Sequence, residues 1–254
     1  GSSQGRSRRA AGALRWSSSI AYRSAMEIVS PLPGTEPPRD CPRCPRLVAF
    51  RRECQAEHPD WWNAPVYVFG DPNAWLAFAG LAPGKHGANR TGRPFTGDYA
   101  GDLLFATLAA FGLSKGRYGA RIDDGLTLDG AIIVNSVKCL PPQNKPTPAE
   151  IATCRPYFEG QLAALPQVRV LIALGRIAHD AAVRAVGGRL AAYRFAHGAV
   201  HRLPDGRHLV DSYHCSRYNT NTGRLTPAMF ADVFRTAVAL RDQTSGRNSS
   251  TTAR

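Results

Sequence analysis

From Gly80 to Asp98 the chain reads GLAPGKHGANRTGRPFTGD, an apolar run that feeds into glycines, cations and one terminal carboxylate. Glycine lets backbone approach a ligand closely, and Lys85, His86, Arg90 and Arg93 supply a positive field and hydrogen-bond donors. This composition predicts an active-site loop for an anionic partner rather than a linker. Asp98 has two readings, a catalytic carboxylate or the N-cap of a helix from Tyr99 onward. A second polar, basic loop runs from His214 to Leu225, HCSRYNTNTGRL. The adjacent Cys215 and His214 could form a nucleophile and base pair, although no second base partner is apparent.

The six cysteines point to metal or catalysis before disulfides in a chain read as cytoplasmic, where thiols stay reduced. Cys41 and Cys44 form a CxxC pair, and Cys139 and Cys154 lie fourteen residues apart around a proline-rich loop and a helix start. Four soft ligands suit zinc or an iron–sulfur cluster, and spacing alone does not separate the two. Cys54 falls in an apolar-patterned helix over Leu47–Glu57 and reads as a small packed hydrophobe.

The elements that must position these residues are four short apolar strands separated by helices. The strands are expected at Trp75–Leu81, Ala131–Val137, Val168–Leu174 and His208–Ser212. Thr147-Pro148-Ala149-Glu150 reads as N-cap, first-turn proline and capping-box acid, opening a helix through Ala164. Thr226-Pro227 repeats the device ahead of an apolar stripe of Met229, Phe230, Val233, Phe234, Ala237 and Val238. Further helices are expected at Asp102–Phe111 and Ile177–Ala185. This α/β pattern predicts a central four-stranded parallel sheet with helices on both faces, whose ligands bind beyond the carboxyl ends of the strands. The glycine-rich loop follows the first strand, Asn135 ends the second and His214 follows the last. The Ser114–Asp129 connection, rich in glycine and charge, is expected to be a surface excursion.

Composition bounds the class. With 254 residues and 43% apolar content, one globular domain over residues 37–242 is expected, flanked by a disordered arm, 1–36, and tail, 243–254. The formal charge of +13 is only partly in those ends, so the body is itself basic. A basic body without a basic amphipathic helix favours nucleic acid over a membrane surface. No apolar stretch approaches the roughly 20 residues of a membrane span, and no signal core is present, so a cytoplasmic protein is expected.

The wording GLAPG followed by HGANRTGRPFTGD, together with HCSRYNTNTGRL, closely resembles the uracil-DNA glycosylase superfamily, family 5 or type b, over roughly residues 38–240. The resemblance implies an α/β/α sandwich and a monomeric DNA-repair enzyme of the bacterial nucleoid acting on double- and single-stranded DNA. It would hydrolyse the bond from deoxyribose to uracil and to other deaminated or modified bases such as hypoxanthine, xanthine and ethenocytosine. It implies a [4Fe–4S] cluster on Cys41, Cys44, Cys139 and Cys154, with zinc as the alternative. Removal of a base demands an aromatic platform, an amide that reads the base edge and a donor for charge on the departing base. The family match assigns these to Phe95, Asn135 and His214, with Gly80, Ala82, Gly84 and His86 lining the base site. The surrounding Gly92, Arg93, Pro94 and Gly97 argue against burial of Phe95 in a regular core, and the basic, polar loop after His214 argues against a structural histidine; without the family match Asn135 reads as a turn former. In the commoner GQDPY form of the first motif an aspartate stands where this chain has Ala82; the resemblance to the type-b branch implies instead that the aspartate ending the loop, Asp98, is the catalytic carboxylate. Arg90, Arg93, Ser216, Arg217, Tyr218 and Asn219 are the expected DNA contacts, with Tyr218 as wedge and Arg217 on phosphate. Asn221 and Arg224 are expected on the DNA backbone, and Lys138 and Arg155 form a basic rim beside the cysteines. Rival readings are a non-catalytic DNA-damage or RNA binder on this scaffold and a uracil-trapping protein that bonds to the abasic sugar. The GEQPG-like motif and basic insertion of the trapping branch are not found.

Overall fold

A computed structural model describes residues 28–248, with side chains through residue 243. Its centre is a parallel sheet of β2 (Leu76–Gly80), β5 (Ala131–Asn135), β6 (Val170–Leu174) and β8 (His208–Ser212), in the order β5-β2-β6-β8. Two short antiparallel strands extend its edges to six: β1 (Phe69–Gly70) on β5 and β7 (Val200–Arg202) on β8. They span two and three residues, too short to carry a readable alternation. A separate hairpin pairs β3 (Ser114–Lys115) with β4 (Thr127–Leu128), so the 114–129 excursion has structure of its own.

The central strands are buried on both faces, which is why they read as unbroken apolar runs. Side-chain alternation divides them. Leu76, Phe78, Ile133, Ile172 and Val210 face α3 (Tyr99–Ala110) and α7 (Pro227–Asn248). Ala77, Ile132, Val134, Leu171 and Leu209 face α4 (Pro148–Ala163) and α5 (Arg176–Ala185). Phe234 anchors the first layer, 5.2 Å from both Phe78 and Phe230. The other helices are α1 (Pro45–Glu57), which leads from the CxxC pair, and the short α2 (Ala88–Thr91) and α6 (Arg217–Asn221) of the two signature loops.

The helix starts follow their sequence signals. At α4 the Thr147 hydroxyl accepts from Glu150 N while Glu150 accepts from Thr147 N, a reciprocal capping box. At α7 Met229 N donates to the Thr226 hydroxyl. Helix α3 begins one turn before the expected Asp102, because Asp98 caps it.

The domain ends differ from expectation. Residues 1–27 and 249–254 of the expected arm and tail lie outside the described residues, but residues 28–36 dock on the body. Leu32 is buried against the second core, and Glu36 accepts from Val68 N and Gln161 Nε2, both at 2.8 Å. One buried leucine and one carboxylate with several donors are enough to hold a segment that composition alone marks as an arm. At the other end α7 continues through Asn248.

Candidate active site

The carboxyl ends of β2, β5 and β8 meet on one side of the sheet. Gly80 and Asn135 are register partners across β2 and β5. Only glycine fits at 80, because a Cβ there would collide with Asn135 Oδ1 and lie 3.1 Å from the Phe95 ring. The absent side chain therefore brings the amide and the aromatic face together. Asn135 is buried, and its Oδ1 has no hydrogen-bond partner among the described residues. A buried acceptor left unpaired costs about 1–3 kcal/mol, so it marks a place where a ligand donor is wanted.

Contrary to expectation Phe95 is buried at the edge of the first core, because its backbone is held in the left-handed region, φ +53°, which a bulky residue rarely adopts and which turns the ring inward from the loop. The strain is fixed from outside the loop. Tyr118 Oη accepts from Gly97 N at 3.1 Å and donates to Phe95 O at 3.3 Å. Arg93 Nε donates to the Thr96 hydroxyl at 2.7 Å, and the rest of its guanidinium makes a bidentate pair with Asp124 at 2.8 and 2.6 Å. His214 completes the aromatic side, its ring 6.0 Å from that of Phe95 and 28° from parallel to it. Burial pushes the His214 imidazole down to about 4, so it is neutral at physiological pH.

Both readings of Asp98 hold at once. Its Oδ1 caps α3 through Gly101 N at 3.1 Å, while Oδ2 faces the loop opposite Gly84 and Gly87. A Cβ on Gly87 would collide with Oδ2, so glycine is what lets that oxygen lie against the loop. Burial raises the carboxyl above its ordinary value, and the backbone donors of Gly101 and Ala100 only partly offset it. Cys215 is no nucleophile: it is fully buried, donates to Ala100 O and is pushed up to about 12 by burial and by Asp98.

A family model described as the uracil DNA glycosylase superfamily matches residues 67–237, which span the sheet and both signature loops. The chain belongs to that superfamily. It is 49% identical over 205 residues to a type-5 uracil-DNA glycosylase of Thermus thermophilus, across 79% of this chain and 93% of the relative. Similar proteins of the same type occur in Mycobacterium tuberculosis, 42% identical across 79% and 78%, and Pyrobaculum aerophilum, 41% identical across 79% and 88%.

A second cluster in this superfamily member gathers Cys41, Cys44, Cys139 and Cys154 around one pocket, walled by Leu47, Val137 and Tyr157. Cys154 Sγ accepts from Lys138 N at 3.4 Å, and Arg51 reaches Cys139 Sγ at 3.8 Å. Burial, followed by the other thiols and Glu150, pushes Cys44 up to about 11. Burial pushes Cys139 up to about 12 against the opposing pull of Arg51. Burial disfavours the thiolates of Cys44, Cys139 and Cys154, a cost that a bound cation would offset, and the set of four sulfur donors fits a metal centre.

Several expected contacts lie elsewhere. Arg93 does not face DNA: it is 2% exposed, paired with Asp124 and flanked by the rings of Phe69, Phe105 and Tyr118. Lys138 is no rim cation either, since it is buried beneath the site and donates to Asn135 O at 2.6 Å and to Gln161. The Ala82 side chain packs toward the cysteine pocket, not the base site. His86 is exposed, edge-on to Trp61 at 5.5 Å, and apart from the Phe95 cluster. Lys85 is paired with Glu57. Asn219 donates to His214 O at 2.8 Å and Ser216 caps α6, so both shape the His214 loop. Arg90, Arg217 and Tyr218 remain exposed, Tyr218 at 72%. Tyr118 and Asp124 were missed, having no motif of their own; the arginine inside a glycine-rich loop was the only hint that a carboxylate might fold back onto it.

Proposed function

We propose that this chain is a monofunctional uracil-DNA glycosylase that hydrolyses the N-glycosidic bond of uracil in DNA and leaves an abasic site. The observation that carries the reading is the unpaired Asn135 Oδ1 beside the Phe95 ring. A flipped uracil stacks on Phe95, its N3–H donates to Oδ1, and the Asn135 amide donates to O4. As the C1′–N1 bond breaks, its electron pair leaves with the base. Neutral His214 donates an N–H to uracil O2, where that charge collects. Asp98 Oδ2 faces the sugar cation and orients a water; the water oxygen bonds to C1′ and its proton passes to the carboxylate.

The resemblance to the type-b branch supports a broader range including hypoxanthine, xanthine and ethenocytosine. The proposed enzyme works as a monomer on double- and single-stranded DNA, with Tyr218 filling the space of the flipped nucleotide and Arg90 and Arg217 on phosphate. We further propose that Cys41, Cys44, Cys139 and Cys154 hold a [4Fe–4S] cluster. When bound, the cluster supplies a covalent cross-link between the CxxC segment, the β5 exit loop and α4, and takes no part in bond cleavage. Brown protein with iron and acid-labile sulfide is expected; colourless, active protein with stoichiometric zinc alone would identify the other metal.

Single-turnover excision of uracil and 5-fluorouracil by Asp98→Asn and His214→Asn tests the roles. The His214 defect, about two to three powers of ten on uracil, should shrink on 5-fluorouracil, which leaves more readily. The Asp98 defect should persist, because sugar charge develops whichever base departs. Full activity in folded Asp98→Asn, or equal His214 losses on both bases, overturns the assignment. A stable protein–DNA adduct would show the trapping alternative, and unchanged DNA a binder.

A further inference from the structure

On the far side of β8 from the cysteines, three side chains from three elements converge in the interior. His179 of α5 and Asp211 of β8 are fully buried, and His201 of β7 is 14% exposed. One ligand atom from each lies within 4.8 Å of the other two. His179 Nδ1 is 2.7 Å from Asp211 Oδ1, His201 Nε2 is 3.1 Å from Oδ2, and Ala196 N also approaches Oδ2 at 3.3 Å. None of the three takes part in the base chemistry.

The second nitrogen of His179 decides what the cluster needs. Nε2 is 3.0 Å from Tyr193 O, a carbonyl that can only accept, so Nε2 carries the proton. A neutral imidazole has one N–H. Nδ1 therefore points a lone pair at a carboxylate oxygen, and a positive centre, either a second proton or a metal ion, must lie between them. A backbone carbonyl on the outer nitrogen is the arrangement that orients metal-bound histidines. His201 adds a second imidazole on the other carboxylate oxygen, and its partial exposure provides an entry path and an open coordination position.

We propose that His179, His201 and Asp211 bind one divalent transition-metal ion of the zinc class, separate from the cysteine pocket. Two imidazoles and one carboxylate match the nitrogen and oxygen ligands that such ions take. The ion would join α5, β7 and β8. This fastens the 186–203 segment, whose sheet pairing spans only Val200–Arg202, to the strand that leads into His214. Loading draws Nδ1 and Oδ1 onto a common ion at about 2.0–2.1 Å, so their separation should open toward about 3.3 Å.

The test uses the protein with its cysteine centre fully loaded, incubated with zinc and then desalted. One zinc per chain is expected beyond the metal of the cysteine centre, with nitrogen and oxygen scatterers at about 2.0–2.1 Å in the zinc-edge absorption spectrum. Melting temperature should rise with zinc in the wild type, and His201→Gln should bind zinc at least about tenfold more weakly with the cysteine centre intact. Absence of retained zinc overturns the proposal, as does a zinc spectrum dominated by sulfur at about 2.3 Å, or equal retention by folded His201→Gln. If that variant does not fold, 15N chemical shifts of wild-type His179 in excess zinc decide. Protons on both ring nitrogens, or an Nδ1 resonance that zinc does not move, mean a proton-bridged histidine–carboxylate pair and no metal, whereas an Nδ1 resonance that shifts on zinc addition with the proton kept on Nε2 supports the ion.

Discussion

At Asp98, one oxygen ends a helix while the other faces the reacting sugar, so a substitution can separate the two duties. Asparagine caps about as well as aspartate. Asp98→Asn should therefore keep its fold and lose at least about two powers of ten in single-turnover rate, if the charge contributes as a preorganised site does. Burial raises the Asp98 carboxyl above the 3.8 of an ordinary aspartate, so the folded state binds that proton more tightly than the unfolded chain. Wild-type stability is then fullest below 3.8 and declines as pH rises through the folded value, a penalty that Asp98→Asn lacks at neutral pH. Activity has the opposite sign: the carboxylate must be ionised, so the rate should fall on the acid side at a pH above 3.8. His214, held near 4, should produce no break at 6.5. A pH–rate profile with an inflection at 6.5 would place a protonated histidine in the reaction instead. Asn135 offers a different contrast. Replacing an unpaired buried amide by an apolar group of similar shape removes a cost of about 1–3 kcal/mol, so Asn135→Leu should melt at or above the wild-type temperature while excising uracil poorly. Loss of both stability and activity would make Asn135 a structural residue.

At the scale of elements, the loop that carries Phe95 and Asp98 owes its shape to a segment of the chain that makes no part of the pocket. The 114–129 excursion sends Tyr118 and Asp124 back onto it, and Asp124 is held by Arg93, Gly119 N and Leu126 N. Burial raises the Asp124 carboxyl, but these donors overcome it and hold the group well below the usual carboxylate range. Tyr118→Phe removes the hydroxyl that joins Gly97 N to Phe95 O, and should slow excision about tenfold while binding to abasic product changes little. Asp124→Asn leaves the Arg93 charge buried without its partner, and should cost about 3–5 kcal/mol in denaturant unfolding. Unchanged stability would overturn the reading of this pair as the buttress of the loop. This buttress also marks the boundary of what the sequence discloses. Strands β2, β5, β6 and β8 and the starts of α4 and α7 were legible because apolar runs and capping boxes are local signals. Asn135, His214 and Asp98 could be placed because strand ends and a motif located them. Arg93 and Lys138 were misread as surface cations because their partners, Asp124 and Gln161, lie far along the chain, and no local pattern says that a cation will fold inward. Edge strands β1 and β7 were invisible for a related reason: two or three residues pair only because a longer neighbour is already in place.

Over the whole molecule, the excess of cations is divided between those that hold the fold and those free to meet a polyanion, and ionic strength separates the two sets. The formal charge is +13, yet Arg93 and Lys138 are buried and Lys85 is engaged by Glu57. Arg217 is exposed, lying over the Tyr99 ring beside the mouth of the site, and Tyr218 projects next to it. A cation that contacts phosphate releases counterions, so each such contact adds about 0.9 to the slope of log affinity against log salt. Arg217→Ala should weaken binding to duplexes of any sequence and reduce that slope by about 1. Lys138→Met keeps the length of a buried chain and removes a charge whose pKa burial lowers to about 8, with Glu36 and Cys154 pulling weakly the other way. It should leave the slope unchanged and alter melting temperature and excision instead, because Lys138 donates to the carbonyl of Asn135. The two variants remove the same formal charge from the same net total, so non-specific attraction to the overall field predicts equal changes in slope. Unequal slopes, with the loss confined to Arg217, would show that binding is set by where cations stand around the carboxyl ends of β2, β5 and β8 rather than by how many the chain carries.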